Sequence, residues 1–309
     1  MSAENHPPAA GSRVPWHEVH PKVRTAVEEF LGGRVAEAVT QPGGFSPAAA
    51  VRIRTEGGGR AFVKAVGPEP NPDTPSIYRA ELKIAAALPS SVCAPRLLIG
   101  FETEGWVVLV FEDIEGVHPD LPWRRDQLDL VLGAADRMSA ALTPSPIDAP
   151  PIAEAFGGAF QGWRRLLKED AEGLDPWALR HLGELAELES GWAAAAAGDS
   201  LVHADLRADN ILLAGDRVYV VDWPWACVGA PWFDRLAMLP SVGMQGGPPP
   251  HELCTDPDPA VTAVVAAMTG YFVCQARKPP PPGIPTVREF QRAQGVVALD
   301  WLRRRTGWA

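Results

Sequence analysis

A short polar stretch between two apolar runs constrains the fold of this chain more than any other feature. Residues 201–213 read LVHADLRADNILL, and a further apolar run over residues 218–221 ends at Asp222. Short apolar runs bounded by polar residues are typical of buried strands, so the polar side chains between them are predicted to lie on a loop. A tight turn after residue 213 would fold the next strand back and bring Asp205, Asn210 and Asp222 together.

These three side chains suit phosphoryl transfer. Mg²⁺ takes oxygen ligands and is usually held by one or two carboxylates together with substrate phosphates, so Asn210 and Asp222 are candidate metal ligands. Asp205 is then available to accept the proton of an acceptor hydroxyl. Because the transition state is loose, positioning and charge neutralisation matter more than basicity, and an aspartate with an ordinary pKa of about 3.9 is adequate.

The rest of the sequence divides into a sheet-rich part and a helical part. Residues 42–112 predict a mostly antiparallel sheet, with strands over 49–55, 61–66, 96–102 and 106–112 and a helix over 76–88. After Gly116 the pattern is helical, with helices over 127–142, 153–172 and 176–197 and short strands around the polar stretch. This organisation predicts an α+β chain built from a small sheet lobe and a larger helical lobe.

The boundaries of these units follow from changes in composition. A segment rich in Pro, Ala and Ser opens the chain and is predicted to be a flexible tail. The predicted units are the tail over residues 1–14, the sheet lobe over 15–112, a hinge over 113–116 and the helical lobe over 117–309.

Charge and hydropathy exclude several classes of function. The 309-residue chain has a formal net charge of −10, which argues against a nucleic-acid partner because phosphate contacts need clustered Lys and Arg. The longest mainly apolar stretch, residues 260–273, is shorter than the roughly 20 residues that a membrane-spanning helix needs. No signal-peptide pattern opens the chain, and the four cysteines form no Cys-x-x-Cys pair. We therefore expect a cytoplasmic protein that binds no membrane and has no zinc site.

The polar stretch also resembles the motif of a known family. A His-x-Asp-x4-Asn pattern, followed by an apolar strand and Asp222-Trp223, resembles the aminoglycoside phosphotransferase family, whose fold is protein-kinase-like. The family usually has His-Gly-Asp where this chain has His203-Ala204-Asp205. A downstream Gly-x4-Asp-Leu-Ala pattern is similar to residues 229–237, with an arginine inserted after the aspartate. The resemblance covers residues 35–240 and is most specific in the catalytic segment.

The resemblance implies a two-lobe fold with nucleotide bound by the N-lobe and the catalytic loop, metal site and acceptor site in the C-lobe. It implies that Asp205 is the catalytic base. Asn210 and Asp222 would hold Mg²⁺. His203 and Asp234 would support the catalytic loop, with Asp234 starting a helix.

A lysine in the N-lobe is the candidate for binding the nucleotide phosphates. In a kinase-like lobe such a strand lysine contacts the α and β phosphates and is oriented by a helix glutamate, which implies the pair Lys64 and Glu81. Two alternatives stay open from the residues alone. A strand lysine can face solvent, and Arg79 or Lys83 can pair with Glu81 on the helix surface.

The remaining nucleotide contacts are placed by the resemblance only. It implies that the glycine turn over residues 43–46 covers the phosphates, with Ser46 near them. It also implies that the carbonyl of Glu112 and the N–H of Ile114 bind the purine edge. Backbone contacts do not depend on side-chain identity, so ATP and GTP stay equally possible as co-substrates.

The acceptor is constrained only by charge. Residues 114–200 carry 15 acidic and 7 basic residues, which leaves room for a cationic acceptor such as an aminoglycoside. Residues 230–309 carry 6 acidic and 8 basic residues, which leaves room for a neutral or anionic sugar or nucleoside. The acceptor could therefore be neutral, anionic or aminated.

These observations predict a small-molecule O-phosphotransferase that moves the γ-phosphoryl group of ATP or GTP to a hydroxyl of an antibiotic, sugar or nucleoside. The expected role is antibiotic resistance or self-resistance, in a monomer or homodimer. The alternatives are a metabolic sugar or amino-alcohol kinase and a catalytically inactive nucleotide-binding pseudokinase. A protein kinase is disfavoured because no Ala-Pro-Glu motif follows the metal aspartate.

Overall fold

A five-stranded sheet with two helices forms the first lobe of the protein, for which a computed structural model describes residues 7–169 and 172–309. Its elements are α1 (Pro21–Leu31), β1 (Val35–Thr40), β2 (Ala49–Thr55), β3 (Arg60–Val66), α2 (Thr74–Ala87), β4 (Leu97–Thr103) and β5 (Trp106–Phe111). The strand order is β1-β2-β3-β5-β4, and every neighbouring pair is antiparallel. The four predicted strands and the predicted helix over residues 76–88 agree with the structure to within two residues. Strand β1 is not predicted.

Alternation along β3 gives the sheet its two faces. Ala61, Val63 and Ala65 are fully buried in a core that α1 completes, because side chains separated by two residues point to the same face of a strand. Lys64 lies on the opposite face, which turns toward α2 and the helical lobe. The register places Lys64 beside Leu109 of β5.

In the described residues, helices and two short strand pairs make up the second lobe. Its elements are α3 (Arg125–Ala141), α4 (Ile152–Phe156), α5 (Gly162–Leu166), α6 (Pro176–Arg180), α7 (Leu182–Ser190), α8 (Trp192–Ala195), β6 (Ser200–Val202), β7 (Ile211–Ala214), β8 (Arg217–Val220), β9 (Cys227–Gly229), α9 (Phe233–Ala237), α10 (Leu239–Met244), α11 (Pro250–Leu253), α12 (Pro259–Gln275) and α13 (Val287–Thr306). Strand β6 pairs with β9, and β7 pairs with β8.

Two of the predicted long helices are interrupted. The helix predicted over 153–172 is observed as α4 and α5, separated at Gly157 and Gly158, and residues 170 and 171 lie outside the described residues. The helix predicted over 176–197 is observed as α6, α7 and α8, with Gly191 between the last two. Glycine is among the poorest helix formers, which accounts for the breaks at Gly157, Gly158 and Gly191. The break between α6 and α7 falls at His181.

Helix α12 is the centre of the helical lobe. Ten of its 17 residues are buried, which is the pattern of a helix surrounded by other elements rather than one with a single apolar face. It packs against α5, α7, α8 and α13. Within the described part of the chain, no helix is both long and apolar enough to cross a bilayer.

The hinge segment connects the two lobes at the β7–β8 hairpin. Val117 and Leu213 exchange backbone hydrogen bonds of 3.0 and 2.7 Å, with each N–H donating to the other carbonyl. The sequence predicts a flexible tail over residues 1–14. Residues 7–14 contain no helix or strand, but this segment forms hydrogen bonds with each lobe: Val14 bonds Ala48 and Ser12 bonds Gly283. Residues 1–6 of that predicted tail lie outside the described residues.

Candidate active site

Two buried polar side chains hold the loop between β6 and β7. Asp234, in the first turn of α9, accepts hydrogen bonds from the N–H groups of His203 (2.8 Å) and Ala204 (2.7 Å). His203 is fully buried; its Nε2 donates to the carbonyl of Val221 at 3.0 Å, and its Nδ1 accepts from the N–H of Asp205 at 3.2 Å. These partners require the neutral ring with its proton on Nε2. Through these two hydrogen bonds, His203 ties the loop to Val221, the residue before Asp222.

The backbone of this loop is in the left-handed region at one non-glycine residue. Ala204 has φ of 65°, a conformation that costs an L-residue about 1–2 kcal/mol. Ala204 stands at the position where the His-Gly-Asp motif of the aminoglycoside phosphotransferase family has glycine. The strain is held by the hydrogen bond from Ala204 to Asp234 and by the burial of its neighbours.

We expect Ala204→Gly to leave the fold unchanged and to raise the free energy of unfolding by up to about 1 kcal/mol. Glycine removes the Cβ strain, and the greater entropy of its unfolded chain offsets part of the gain. Urea denaturation measures the difference. Ala80→Gly, at an exposed position in the middle of α2, is the matched control and should instead lower stability by about 1 kcal/mol. Equal losses in the two variants would contradict the strain at Ala204.

Asp205 is anchored by an amide and an arginine. Nδ2 of Asn210 donates to the backbone carbonyl of Asp205 at 2.8 Å and to its carboxylate at 3.3 Å. Arg207 forms an ion pair with the same carboxylate and a two-pronged pair with Asp209 at 2.9 and 3.0 Å. Burial raises the pKa of Asp205, while the Arg207 charge opposes that rise. Asn210 therefore orients the carboxylate, and the charge of Arg207 favours its ionised form.

A second cluster joins the N-lobe to the end of β8. Lys64 forms an ion pair with Glu81 of α2, and its Nζ lies 2.8 Å from Oδ1 of Asp222. Burial lowers the pKa of Lys64, but the two carboxylates raise it well above its ordinary value. Burial raises the pKa of Glu81, which is 2% exposed, against the effect of Lys64. Lys64 is therefore a permanently charged group held between the two lobes.

A cleft between the lobes contains the remaining predicted residues. It encloses about 1130 Å³ of empty space including its open mouth. Ser46, Glu112 and Ile114 line this cleft, together with Lys64 and Asp222. The Ser46 hydroxyl lies 2.9 Å from that of the buried Tyr78.

Two arginines clamp the hinge at Asp113, a contact that the sequence pattern does not predict. The Asp113 side chain is 6% exposed and accepts from Arg52 at 2.7 and 3.0 Å and from Arg60 at 2.6 and 3.1 Å. Burial raises the pKa of Asp113, but the two guanidinium groups hold it below its ordinary value. The hinge is thereby fixed to β2 and β3. Arg207 is likewise absent from the predicted site, although it lies two residues after Asp205.

The donor groups near the cleft fit a magnesium ion bound together with phosphates. Asn210 uses its NH₂ group on Asp205, and its side-chain oxygen has no hydrogen bond among the described residues. Asp222 and Asn210 both line the cleft. No group of three or more His, Cys, Asp or Glu residues suited to a metal occurs within residues 7–169 and 172–309. One carboxylate with one amide oxygen is a set that needs phosphates and waters to complete Mg²⁺ coordination.

Solved structures with the same fold include several small-molecule kinases. A thermostable mutant of the aminoglycoside phosphotransferase APH(4)-Ia, in a ternary complex with ADP and hygromycin B, is 15% identical with a TM-score of 0.61, covering 93% of this chain and 100% of that chain. An amicoumacin kinase in complex with AMP-PNP, Ca²⁺ and Ami is 10% identical with a TM-score of 0.54, covering 91% and 94%. A putative fructosamine-3-kinase from Haemophilus somnus 129PT is 14% identical with a TM-score of 0.53, covering 89% and 96%. At these identities the likeness establishes the protein-kinase-like fold.

Sequence comparison adds the family. No curated protein matches the chain at a significant level. The family model described as the phosphotransferase enzyme family matches residues 39–256, a range that includes Lys64, Asp205, Asn210 and Asp222. The match covers more than half of the chain. The chain therefore belongs to the phosphotransferase enzyme family, as a small-molecule phosphotransferase of protein-kinase-like fold.

Proposed function

We propose that the protein transfers the γ-phosphoryl group of ATP or GTP to a hydroxyl of a small-molecule acceptor, with Asp205 as the catalytic base. The arrangement that supports this proposal most is the single cleft that Lys64, Asn210 and Asp222 share. Lys64 is charged and directed to Asp222, Asn210 bonds Asp205, and both lobes therefore contribute to one reaction centre.

Each residue has a defined role in the proposed reaction. Asp205 accepts the proton of the acceptor hydroxyl and aims its oxygen at the phosphorus, and Asn210 holds the carboxylate in that orientation. Lys64 neutralises charge on the nucleotide phosphates, and Glu81 fixes the lysine. A magnesium ion at Asn210 and Asp222 would neutralise the charge that develops on the transferred group. His203 and Asp234 act only on the shape of the loop.

The nucleotide is proposed to lie along the cleft from the hinge to the glycine turn. Glu112 and Ile114 would bind the purine edge through their backbone groups, and Ser46 would lie near the phosphates. Two solved relatives are complexes with ADP and AMP-PNP, which supports a nucleotide co-substrate. The clamp on Asp113 supports this placement because it fixes the backbone on both sides of that residue.

The acceptor is proposed to be a hydroxylated antibiotic, sugar or nucleoside. Its phosphorylation in the cytoplasm is proposed to confer resistance. The names of the solved relatives include hygromycin B and amicoumacin, which supports an antibiotic. Others are named a putative fructosamine-3-kinase and a choline/ethanolamine kinase family protein, which keeps a metabolic sugar or amino-alcohol kinase as the second candidate.

Release of ADP or GDP over an acceptor panel tests the proposed function. The panel contains aminoglycosides, nucleoside antibiotics, neutral sugars and amino alcohols, each assayed with both nucleotides and Mg²⁺. We expect at least one class to stimulate nucleotide turnover above the acceptor-free rate. Nucleotide binding without stimulation by any class would favour a nucleotide-binding module over an enzyme.

A further inference from the structure

Phe290 of α13 packs against the loop that covers one end of the cleft. Its ring meets that of Phe45 edge to face, with centroids 5.0 Å apart and an angle of 75° between the planes. Phe290 is 1% exposed. Phe45 belongs to the glycine turn over residues 43–46 and lines the cleft, whereas Phe290 is not among the cleft-lining residues of the described chain.

Arg207 joins this aromatic pair to the catalytic loop. Its guanidinium carbon lies 5.5 Å from the Phe45 centroid and 5.8 Å from the Phe290 centroid, within the range of cation–π contacts. The same guanidinium forms the ion pair with Asp205. One side chain therefore contacts the covering loop, the C-terminal helix and the proposed base.

A strap over residues 9–13 holds the covering loop from its other side. The N–H of Gly44 donates to the carbonyl of Ala9 at 3.1 Å, and Arg13 donates to the carbonyl of Ser46 at 3.0 Å. A Cβ at Gly11 would lie 2.8 Å from the Ser46 oxygen, so this approach requires glycine. The strap lies directly on the backbone of the loop.

The strap is itself bound to the helical lobe. The N–H of Ser12 donates to the carbonyl of Gly283 at 2.8 Å, and the hydroxyl of Thr286 donates to the carbonyl of Ala10 at 2.9 Å. Gly283 and Thr286 both lie just before α13, which begins at Val287. The segment leading into α13 and Phe290 thus fix the covering loop on two sides.

We propose that Phe290 is a positioning residue for phosphoryl transfer, holding the covering loop closed through Phe45 and linking it through Arg207 to Asp205. A glycine-rich turn on its own samples open conformations, and the fraction of closed loop sets the apparent affinity for a ligand that needs it closed. The inference rests on the proposed nucleotide site, because closure matters only if phosphates lie beneath the loop. Phe290 does not line the cleft, so its effect would pass through Phe45 and Arg207.

Nucleotide titration of variants on α13 tests the proposal. Phe290→Ala is expected to raise the dissociation constant of Mg²⁺–AMP-PNP by about 3- to 10-fold, since an aromatic pair of this geometry contributes that much beyond its buried area. Phe290→Leu keeps most of the apolar volume but removes the aromatic ring, and it should also raise this dissociation constant. Leu302→Ala removes a fully buried side chain from the same helix and should leave the dissociation constant unchanged. All variants are measured well below their melting temperatures.

A double-mutant cycle separates positioning from a general loss of stability. If Phe290 acts through Phe45, Phe45→Ala and the double variant with Phe290→Ala should bind Mg²⁺–AMP-PNP equally well, because coupled sites are not additive. Additive losses, or equal binding by wild type, Phe290→Ala and Leu302→Ala, would overturn the positioning role alone. Failure of the wild type itself to bind Mg²⁺–AMP-PNP would overturn the nucleotide site as well.

Discussion

Replacing Asp205 by Asn is expected to lower the turnover number by about 10²- to 10⁴-fold, the usual contribution of a positioned general base, with little change in nucleotide affinity. An amide of the same shape cannot accept the hydroxyl proton. The loop should keep its form, because Asn210 still donates to the backbone carbonyl of residue 205 and Arg207 keeps its pair with Asp209.

Steady-state rates at saturating nucleotide, with a parallel nucleotide titration, measure this split. Asp216→Asn is the matched control, since Asp216 is exposed on the β7–β8 turn and its replacement removes the same charge. We expect it to retain wild-type turnover. A turnover number in Asp205→Asn close to that of Asp216→Asn would exclude Asp205 as the base.

Replacing Asp222 by Asn is expected to abolish the dependence of nucleotide binding on Mg²⁺ and to lower turnover by about 10²-fold or more. The carboxylate is the one charged donor proposed for the metal. Asparagine is chosen because Asp222 has φ of 68°, a conformation that Asn tolerates better than most residues. Lys64 keeps its ion pair with Glu81, so the N-lobe should stay intact.

Calorimetric titrations of AMP-PNP, with Mg²⁺ and with EDTA, measure the effect. In the wild type and in Asp216→Asn, Mg²⁺ should tighten binding. In Asp222→Asn the two titrations should coincide. A full Mg²⁺ effect in Asp222→Asn would place the metal on other residues.

Features carried by local sequence were predictable. The catalytic loop lies between short apolar strands, and the spacing of Asp205, Asn210 and Asp222 is set by one hairpin. Strands β2 to β5 alternate clearly because one of their faces is buried. Strand β1 has no buried residue, so it lacks the hydrophobic signal from which a strand is predicted.

Features that depend on distant partners were not predictable. The buried clamp joins Asp113 to Arg52 and Arg60, which precede it by 61 and 53 positions in the sequence. Nothing in the sequence near Asp113 indicates these partners. The packing of Phe45 on Phe290 depends on where α13 lies, and 57 residues of helix and loop separate α13 from β9. The direction of Arg207 follows from the turn of the loop, which a pattern of residue types does not specify.

Phosphorus NMR of the complete reaction tests the central claim most directly. The nucleotide, Mg²⁺ and the acceptor found by the panel are incubated with wild type, Asp205→Asn or Asp216→Asn. The account predicts a new phosphate-ester signal, growing as the γ-phosphate signal declines, with wild type and Asp216→Asn but not with Asp205→Asn over the same time. An ester signal that grows equally with Asp205→Asn would contradict it. So would hydrolysis of the nucleotide to inorganic phosphate by wild type, with no ester signal in the presence of the acceptor.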